Sequence, residues 1–158
     1  MNIELRKRTK QHVRIYHERT QDPEIRQHLP KTVVSLEQAM QNYENTLKPD
    51  ATSYGATIYV DGSYVGDVWC YGMDPSGTPQ AMVSYCIFEK SCWGRGIMTR
   101  VLSLFLEDCT SRFGITCFGA FVFSSNTASI RVLEKNGFTP KETFQEDGVQ
   151  SFYYQLNH

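Results

Sequence analysis

The segment Cys92-Trp93-Gly94-Arg95-Gly96-Ile97-Met98-Thr99 joins two stretches of the chain that differ in hydrophobic pattern. The stretch before it, 81–88, is rich in β-branched and aromatic side chains, which predicts a strand. From Gly96 onward the apolar residues recur at helical spacing, which predicts an amphipathic helix. The residues of its apolar face are Ile97, Met98, Val101, Leu102, Phe105, Leu106 and Cys109. A strand therefore runs through a glycine-containing turn into a helix.

This turn has the properties of an anion-binding site. Gly94 and Gly96 lack a Cβ, so their backbone can adopt positive φ and approach a ligand closely. The first turn of the helix adds unpaired N–H groups and a fractional positive charge, which favour a phosphate or pyrophosphate. Thr99 occupies the third glycine position of G-x-G-x-x-G, and no G-x-x-x-x-G-K-[ST] loop occurs. These absences argue against a nicotinamide enzyme and a nucleotide triphosphatase.

A second segment, Asn126 to Phe138, also follows an apolar run, at 115–123, that predicts a strand. Asn126 is a suitable helix N-cap, and Ser129 falls at the third helical position, where its hydroxyl still reaches the helix mouth. Gly137 is placed for a left-handed C-cap. Helix capping alone would explain these residues, so Ser129 has a structural as well as a functional interpretation.

Together the two segments resemble the GNAT superfamily of acetyl-coenzyme A-dependent N-acetyltransferases. The residues 93–98 match its pyrophosphate loop, [Q/R]-x-x-G-x-[G/A], and the second segment matches its Asn-containing strand-to-helix unit ending in Gly-Phe. Trp93, the pattern N-x-x-S-x-x-x-x-E-K-x-G-F and the early segments 22–26 and 35–39 are similar to the ribosomal-protein N-terminal acetylase branch, the Rim type. The loop departs from the family at Met98, where a small residue is usual and a longer side chain would narrow the pyrophosphate seat.

The resemblance implies an acetyl-CoA co-substrate held mainly by backbone groups of the fourth strand and of the loop. The cofactor-binding residues it implies are Ile87, Phe88, Trp93, Gly94, Arg95, Gly96, Ile97, Met98, Thr99 and Asn126, with Cys86 beside them on the strand. Ser129 is then the catalytic residue, as general acid or as hydrogen-bond donor to the departing thiolate. No general base is assigned among Glu89, Glu142 and Glu146, and a water chain is the alternative. Arg95 and Arg131 are candidates to face phosphates, or are surface residues.

The implied fold is α/β: a mixed, mostly antiparallel sheet of about seven strands, splayed between strands four and five and flanked by about four helices. Residues 1–158 are expected to form a single N-acetyltransferase domain, which suits a chain of this length. The remaining strands are predicted at 3–7, 53–60, 64–71, 138–146 and 149–156, and the remaining helices at 9–20, 22–28 and from Ser35, with breaks at 29–32 and 73–79. Asp61-Gly62 and Asp147-Gly148 predict hairpin turns.

Composition excludes several partners. A formal charge of -1 and a pI near 6.4 give no electrostatic reason to expect nucleic acid. No apolar stretch approaches the ~20 residues that cross a bilayer, so we expect no membrane association and a cytoplasmic protein, monomeric or homodimeric. The five cysteines and four histidines lack metal-ligand spacing. We therefore expect no metal and reduced, mostly buried thiols.

Three functions follow from the resemblance. The first is direct acetyl transfer to a peptide or protein N-terminal amine, as in the Rim-type branch. The second is the same chemistry on a small amine such as a polyamine, an amino acid derivative or an antibiotic. The third is a coenzyme A-binding module without turnover, against which the presence of Asn126 and Ser129 argues.

Overall fold

A computed structural model describes residues 1–30, 32–74, 77 and 79–158, and its elements follow the order that the sequence predicts. The strands are β1 (Ile3–Lys7), β2 (Tyr54–Val60), β3 (Ser63–Tyr71), β4 (Gln80–Ile87), β5 (Cys117–Phe123), β6 (Thr139–Glu146) and β7 (Val149–Asn157). The α-helices are α1 (Lys10–Arg19), α2 (Pro23–Arg26), α3 (Leu36–Asn45), α4 (Ile97–Phe113) and α5 (Thr127–Lys135), and a 3-10 turn spans Lys90–Cys92. The single turn α2 is shorter than the predicted helix 22–28.

The seven strands form one sheet in the order β1-β2-β3-β4-β5-β7-β6. All neighbours are antiparallel except β4 and β5, which run parallel. Their pairing covers only Gln80 to Met82 against Cys117 to Gly119. The mixed, mostly antiparallel sheet with a splay after strand four is therefore confirmed.

Helix α4 supplies the centre of the hydrophobic core, as its sequence pattern predicts. Among its core-facing residues, Val101, Leu102 and Phe105 are fully buried, and Met98 is half-buried against the same cluster. Burial of each large apolar side chain contributes about 1.5–3 kcal/mol. This packing fixes the position of the helix and therefore of its N-terminus, beside the end of β4.

Helix α3 differs from its prediction. The spacing of Leu36, Ala39, Met40, Tyr43 and Leu47 predicts an apolar stripe that packs in the core. In the structure no residue of the helix is buried, and Leu36 and the following Leu47 are 37% and 59% exposed. The helix packs mainly on α1 and contributes no residue to the core cluster. Ser35 and Gln38 also predict a capping box, of which one bond forms. Ser35 Oγ accepts from the Gln38 N–H at 3.1 Å, but the Gln38 side chain donates to Asn42 at 2.9 Å.

The two predicted hairpin turns are confirmed by their backbone. Asp61 and Gly62 have φ of 49° and 84°, and Asp147 and Gly148 have φ of 51° and 75°, as a two-residue type I′ turn requires. The predicted breaks at 29–32 and 73–79 include Lys31, Pro75, Ser76 and Thr78, which lie outside the described residues. Within the described part of the chain, no helix is long and apolar enough to cross a membrane.

Arg8 and Asp67 form a largely buried ion pair at β3, next to β4. Asp67 on β3 is 3% exposed, contacts Arg8 Nη2 at 3.1 Å and accepts a hydrogen bond from the Tyr64 hydroxyl. Burial raises the pKa of Asp67, although Arg8 and Tyr64 act in the opposite direction. Gly66 lets β3 approach β4 here, because a Cβ on Gly66 would overlap the Cys86 carbonyl oxygen. Asp67 is paired in register with Cys86, so the ion pair lies beside the last residues of β4.

Candidate active site

The splay between β4 and β5 produces two adjoining cavities. Beyond Met82 and Gly119 the strands no longer pair, so 83–87 and 120–123 diverge. A cavity of about 410 Å³ lies on the side of the glycine turn and α5, and one of about 600 Å³ lies on the side of β5 and β6. The side chains lining both are His28, Leu29, Tyr85, Asn126 and Ser129. We call the first the loop-side cavity and the second the sheet-side cavity.

The glycine turn forms one wall of the loop-side cavity in the conformation that its residues predict. Gly94 and Gly96 have φ of 72° and 74°, and a Cβ on either would meet no atom within 4 Å. Gly96 is the N-cap of α4 and provides no side-chain cap. The N–H groups of Ile97, Met98 and Thr99 thus stand at an uncapped helix mouth facing the cavity, as an anion requires.

Trp93 fastens this turn to β4. Its indole Nε1 donates to the Ile87 carbonyl oxygen at 2.8 Å, although the side chain is 39% exposed. The bond joins the first residue of the loop to the last residue of the strand. The family pattern alone does not show this structural role, because the contact depends on how the chain folds back after the 3-10 turn.

Three cationic side chains line the same cavity: Arg95 from the turn, and Arg131 and Lys135 from α5. Within the described ranges none of them forms an ion pair, whereas Arg8, Arg19 and Lys90 elsewhere do. Arg95 Nη2 contacts the Met1 sulfur at 3.6 Å, so its charge is not neutralised by a carboxylate. Positive charge of this kind beside an uncapped helix N-terminus suits a ligand with several phosphates. The residues present therefore fit the pyrophosphate-containing co-substrate that the sequence implies.

The N-terminus of α5 positions the predicted catalytic serine. Asn126 is the N-cap, and its Oδ1 accepts from the Ser129 N–H at 3.2 Å. Capping is thus performed by the asparagine, and the Ser129 side chain is not used for it. Instead, Ser129 Oγ lies 2.8 Å from the Tyr85 hydroxyl. The Ser129 hydroxyl therefore does not cap the helix and is available for another role.

Tyr85 is the residue of this site that the sequence does not reveal. It lies on β4 within the gap, and its hydroxyl is also 3.3 Å from the Ser129 carbonyl oxygen. Burial raises the pKa of Tyr85 to about 12, although the Ser129 hydrogen bond lowers it. Strand alternation places Tyr85 on one face with Val83 and Ile87, but its partner is 44 residues away. That contact follows only from the tertiary fold.

The sheet-side cavity is predominantly aromatic and apolar. Its wall includes Tyr71, Phe121 and Phe144, which are 37%, 57% and 39% exposed. Phe121 packs against Phe144 with ring centroids 5.9 Å apart. Among its described lining residues, Glu146 is the one acidic side chain. The cavity can thus accept an apolar group beside an amine but offers little negative charge.

The structure brings the predicted site residues to the loop-side cavity, with the exception of Phe88. The Phe88 ring is 1% exposed, and its N–H donates to the Val65 carbonyl oxygen at 2.9 Å. The side chain and N–H of Phe88 are therefore turned away from the gap, because β4 ends at Ile87 and the chain crosses toward β3. The neighbouring Cys86 does line the cavity, and burial raises the pKa of its thiol to about 11.

The carboxylates considered as bases are distributed unequally. Glu89 forms an ion pair with Arg19 at 3.0 Å and accepts from Ser91 Oγ at 3.1 Å, and these bonds lower its pKa. Glu142 lines neither described cavity, whereas Glu146 lines the sheet-side one. Among the residues that the structure describes, no group of three or more His, Cys, Asp or Glu side chains is arranged to hold a metal.

Comparisons with known proteins agree with this geometry. The family model described as an acetyltransferase (GNAT) domain matches residues 2–139. No curated protein matches the chain at a significant level.

Three solved structures share the fold. Spermidine N-acetyltransferase from Vibrio cholerae, solved with CoA and spermine, has a TM-score of 0.86 at 13% identity over 98% of this chain and 95% of its own. RimL, a ribosomal alpha-N-protein acetyltransferase solved with coenzyme A, has a TM-score of 0.83 at 21% identity over 99% and 94%. AAC(6')-Ib, solved with paromomycin and acetyl-CoA, has a TM-score of 0.82 at 17% identity over 100% and 94%. The family match spans most of the chain, and this protein therefore belongs to the GNAT family of acetyltransferases.

Proposed function

We propose that the protein transfers the acetyl group of acetyl-CoA to the N-terminal amine of a peptide or protein. This proposal rests on the charge of the sheet-side cavity. Among its described lining residues Glu146 is the one carboxylate, and several of the others are aromatic. A polyamine or an aminoglycoside carries several positive charges and is recognised best by several negative ones. A peptide N-terminus presents one amine beside a side chain that Phe121 and Phe144 can contact.

The ordinary pKa of an α-amino group also supports a peptide N-terminus as the acceptor. An α-amino group has a pKa of about 7.7–8.0, so roughly a third of it is neutral at pH 7.5, whereas a lysine-like amine with a pKa of ~10.4 is ~0.1% neutral. The residues common to both cavities include no carboxylate. A site without a carboxylate at this position to remove a proton is better suited to an amine that already loses its proton near neutral pH.

The loop-side cavity is assigned to acetyl-CoA. In this proposal the N–H groups of 97–99 bind the pyrophosphate, and Arg95, Arg131 and Lys135 face the remaining phosphates. The acyl arm follows β4 past Ile87, where the unpaired strand edge offers backbone groups to the pantetheine amides. The thioester then lies where the two cavities meet, beside Ser129.

In the proposed reaction the neutral amine enters from the sheet-side cavity and attacks the thioester carbonyl carbon. The new C–N bond replaces the C–S bond, the electron pair leaves with sulfur, and the amine proton passes to solvent. Ser129 donates a hydrogen bond to the departing thiolate. Because a thiol has a pKa near 8.5, its thiolate can leave with the help of a hydrogen bond and does not need full protonation. Loss of the Ser129 hydroxyl should therefore lower the rate roughly ten- to a hundredfold.

An acetyl-transfer screen tests the proposal. Release of the CoA thiol is measured with N-terminal peptides, spermine and an aminoglycoside, and the matched control is the same peptide with its α-amine already acetylated. We expect turnover with the free peptide and none with the blocked one. Ser129→Ala should lower kcat roughly ten- to a hundredfold while leaving the KM for acetyl-CoA unchanged, since Asn126 still caps the helix.

Two outcomes would replace the proposal. Turnover confined to spermine or the aminoglycoside would assign the small-amine function. CoA binding without release to any amine would leave a binding module. A Ser129→Ala variant with the wild-type rate would show that the serine has no part in thiolate departure.

A further inference from the structure

The hydrogen bond between Tyr85 and Ser129 crosses the gap of the sheet at the position where the two cavities meet. The oxygens are 2.8 Å apart, and both side chains line both cavities. Tyr85 is carried by β4, and Ser129 by α5, which follows β5. The contact therefore joins the two halves of the splayed sheet.

The geometry admits either hydroxyl as the donor of this bond, and the acidity of the two groups favours Tyr85. A phenol has an ordinary pKa near 10 and is a much stronger donor than an alkyl hydroxyl. Burial raises the pKa of Tyr85 to about 12, so the phenol keeps its proton throughout the neutral range. When Tyr85 donates, Ser129 Oγ at 2.8 Å is a nearer acceptor than the Ser129 carbonyl oxygen at 3.3 Å, and the hydroxyl hydrogen of Ser129 is left for another partner. Hydrogen bonds in such a chain strengthen one another.

Full proton transfer along this chain is unfavourable. A thiolate whose thiol has an ordinary pKa near 8.5 is a weaker base than a phenolate at about 12 by roughly three orders of magnitude. Tyr85 therefore does not serve as an acid that protonates sulfur through Ser129. Its effect is to orient and polarise the serine hydroxyl.

We propose that Tyr85 is a positioning residue, whose hydroxyl donates to Ser129 Oγ and so directs the Ser129 hydrogen toward the departing sulfur. This inference rests on the proposed function of Ser129. Tyr85 acts through the serine and is distinct from the groups that touch the thioester.

A double-mutant cycle tests the proposal. Tyr85→Phe keeps the ring and removes the hydroxyl, and should lower kcat about 3- to 10-fold, the value of one hydrogen bond, with the KM for acetyl-CoA unchanged. In the Ser129→Ala background the same change should have no further effect. The matched control is Tyr54→Phe, which removes a phenol bonded to Asp108 at 2.8 Å, outside both cavities, and should leave kcat unaltered.

A second readout does not depend on turnover. The pKa of the CoA thiol bound to the protein is measured by thiolate absorbance, with protein in excess. Wild type should hold this pKa below its free value, and Tyr85→Phe and Ser129→Ala should each bring it back toward that value.

The outcomes separate this inference from the proposed function. Equal losses of kcat from Tyr85→Phe in the wild-type and Ser129→Ala backgrounds, or an unchanged thiol pKa in Tyr85→Phe, would overturn the positioning role. Wild-type protein that acetylates no amine but shows the Tyr85-dependent thiol pKa would overturn the proposed function alone.

Discussion

Replacing Gly96 by alanine tests whether the uncapped mouth of α4 binds the pyrophosphate. Gly96 has φ of 74°, and a Cβ there would meet no atom within 4 Å. The cost to the folded protein is therefore the left-handed backbone of an L-residue, about 1–2 kcal/mol, or a loss in Tm of roughly 2–8 °C for a chain of this size. A ligand would in addition meet the new methyl group and a shifted set of N–H donors. Loss of one charge-assisted hydrogen bond, about 1.5–3 kcal/mol, should weaken CoA binding roughly 10- to 100-fold.

Gly114 provides the matched control at the other end of the same helix. It has φ of 71°, again with no atom within 4 Å of a Cβ. The helix has 17 residues, which places the two glycines about 25 Å apart. Gly114→Ala should lose similar stability and bind CoA as wild type does. Thermal unfolding and titration calorimetry with CoA measure the two effects separately. Equal CoA affinity in both variants, at equal stability, would refute the assignment of the loop.

Three further changes test other parts of the structure. Trp93→Phe removes the bond to Ile87 and should weaken CoA binding about 3- to 10-fold in calorimetry. Asp67→Asn leaves the partly buried Arg8, whose side chain is 18% exposed, without its counter-ion and should cost up to about 3 kcal/mol in urea unfolding at neutral pH. Folded Tyr85 keeps its proton between its ordinary pKa of 10 and about 12, whereas the unfolded chain loses it. The free energy of unfolding should therefore fall between pH 10 and 12, by up to ~2.7 kcal/mol in total. Urea unfolding at pH 9 and pH 11 measures this fall, which should be smaller in Tyr85→Phe.

The parts of the site that act through backbone were predictable from sequence. Gly94 and Gly96, the change from strand to helical periodicity after them, and the Asn126 cap depend on residues within one turn of each other. Short-range rules therefore place them correctly. The helix α3 shows the limit of the same rules: its spacing indicates an apolar face at Leu36 and beyond but contains no information on what covers that face.

The surroundings of Phe88 and Tyr85 depend on the tertiary fold and not on their spacing from the loop. Ile87 is the last residue of β4 and lines the gap, whereas Phe88 follows the strand, is 1% exposed and bonds through its N–H to Val65. These neighbours therefore have different surroundings although both adjoin the loop. The contact of Tyr85 with Ser129 joins β4 to α5, and no short-range sequence rule brings these two elements together.

The splay of the sheet explains why the two cavities meet at Ser129. Once β4 separates from β5 after Met82, the edge of β4 has no strand partner on that side, and polar groups there require a ligand, water or a side chain. Trp93 fills this need at Ile87, and Tyr85 bridges the opening to Ser129. The bridging contact spans the gap at one position and leaves a cavity on each side of it. A single break in strand pairing thus creates two cavities and places between them the hydroxyl pair near which we propose that the sulfur departs.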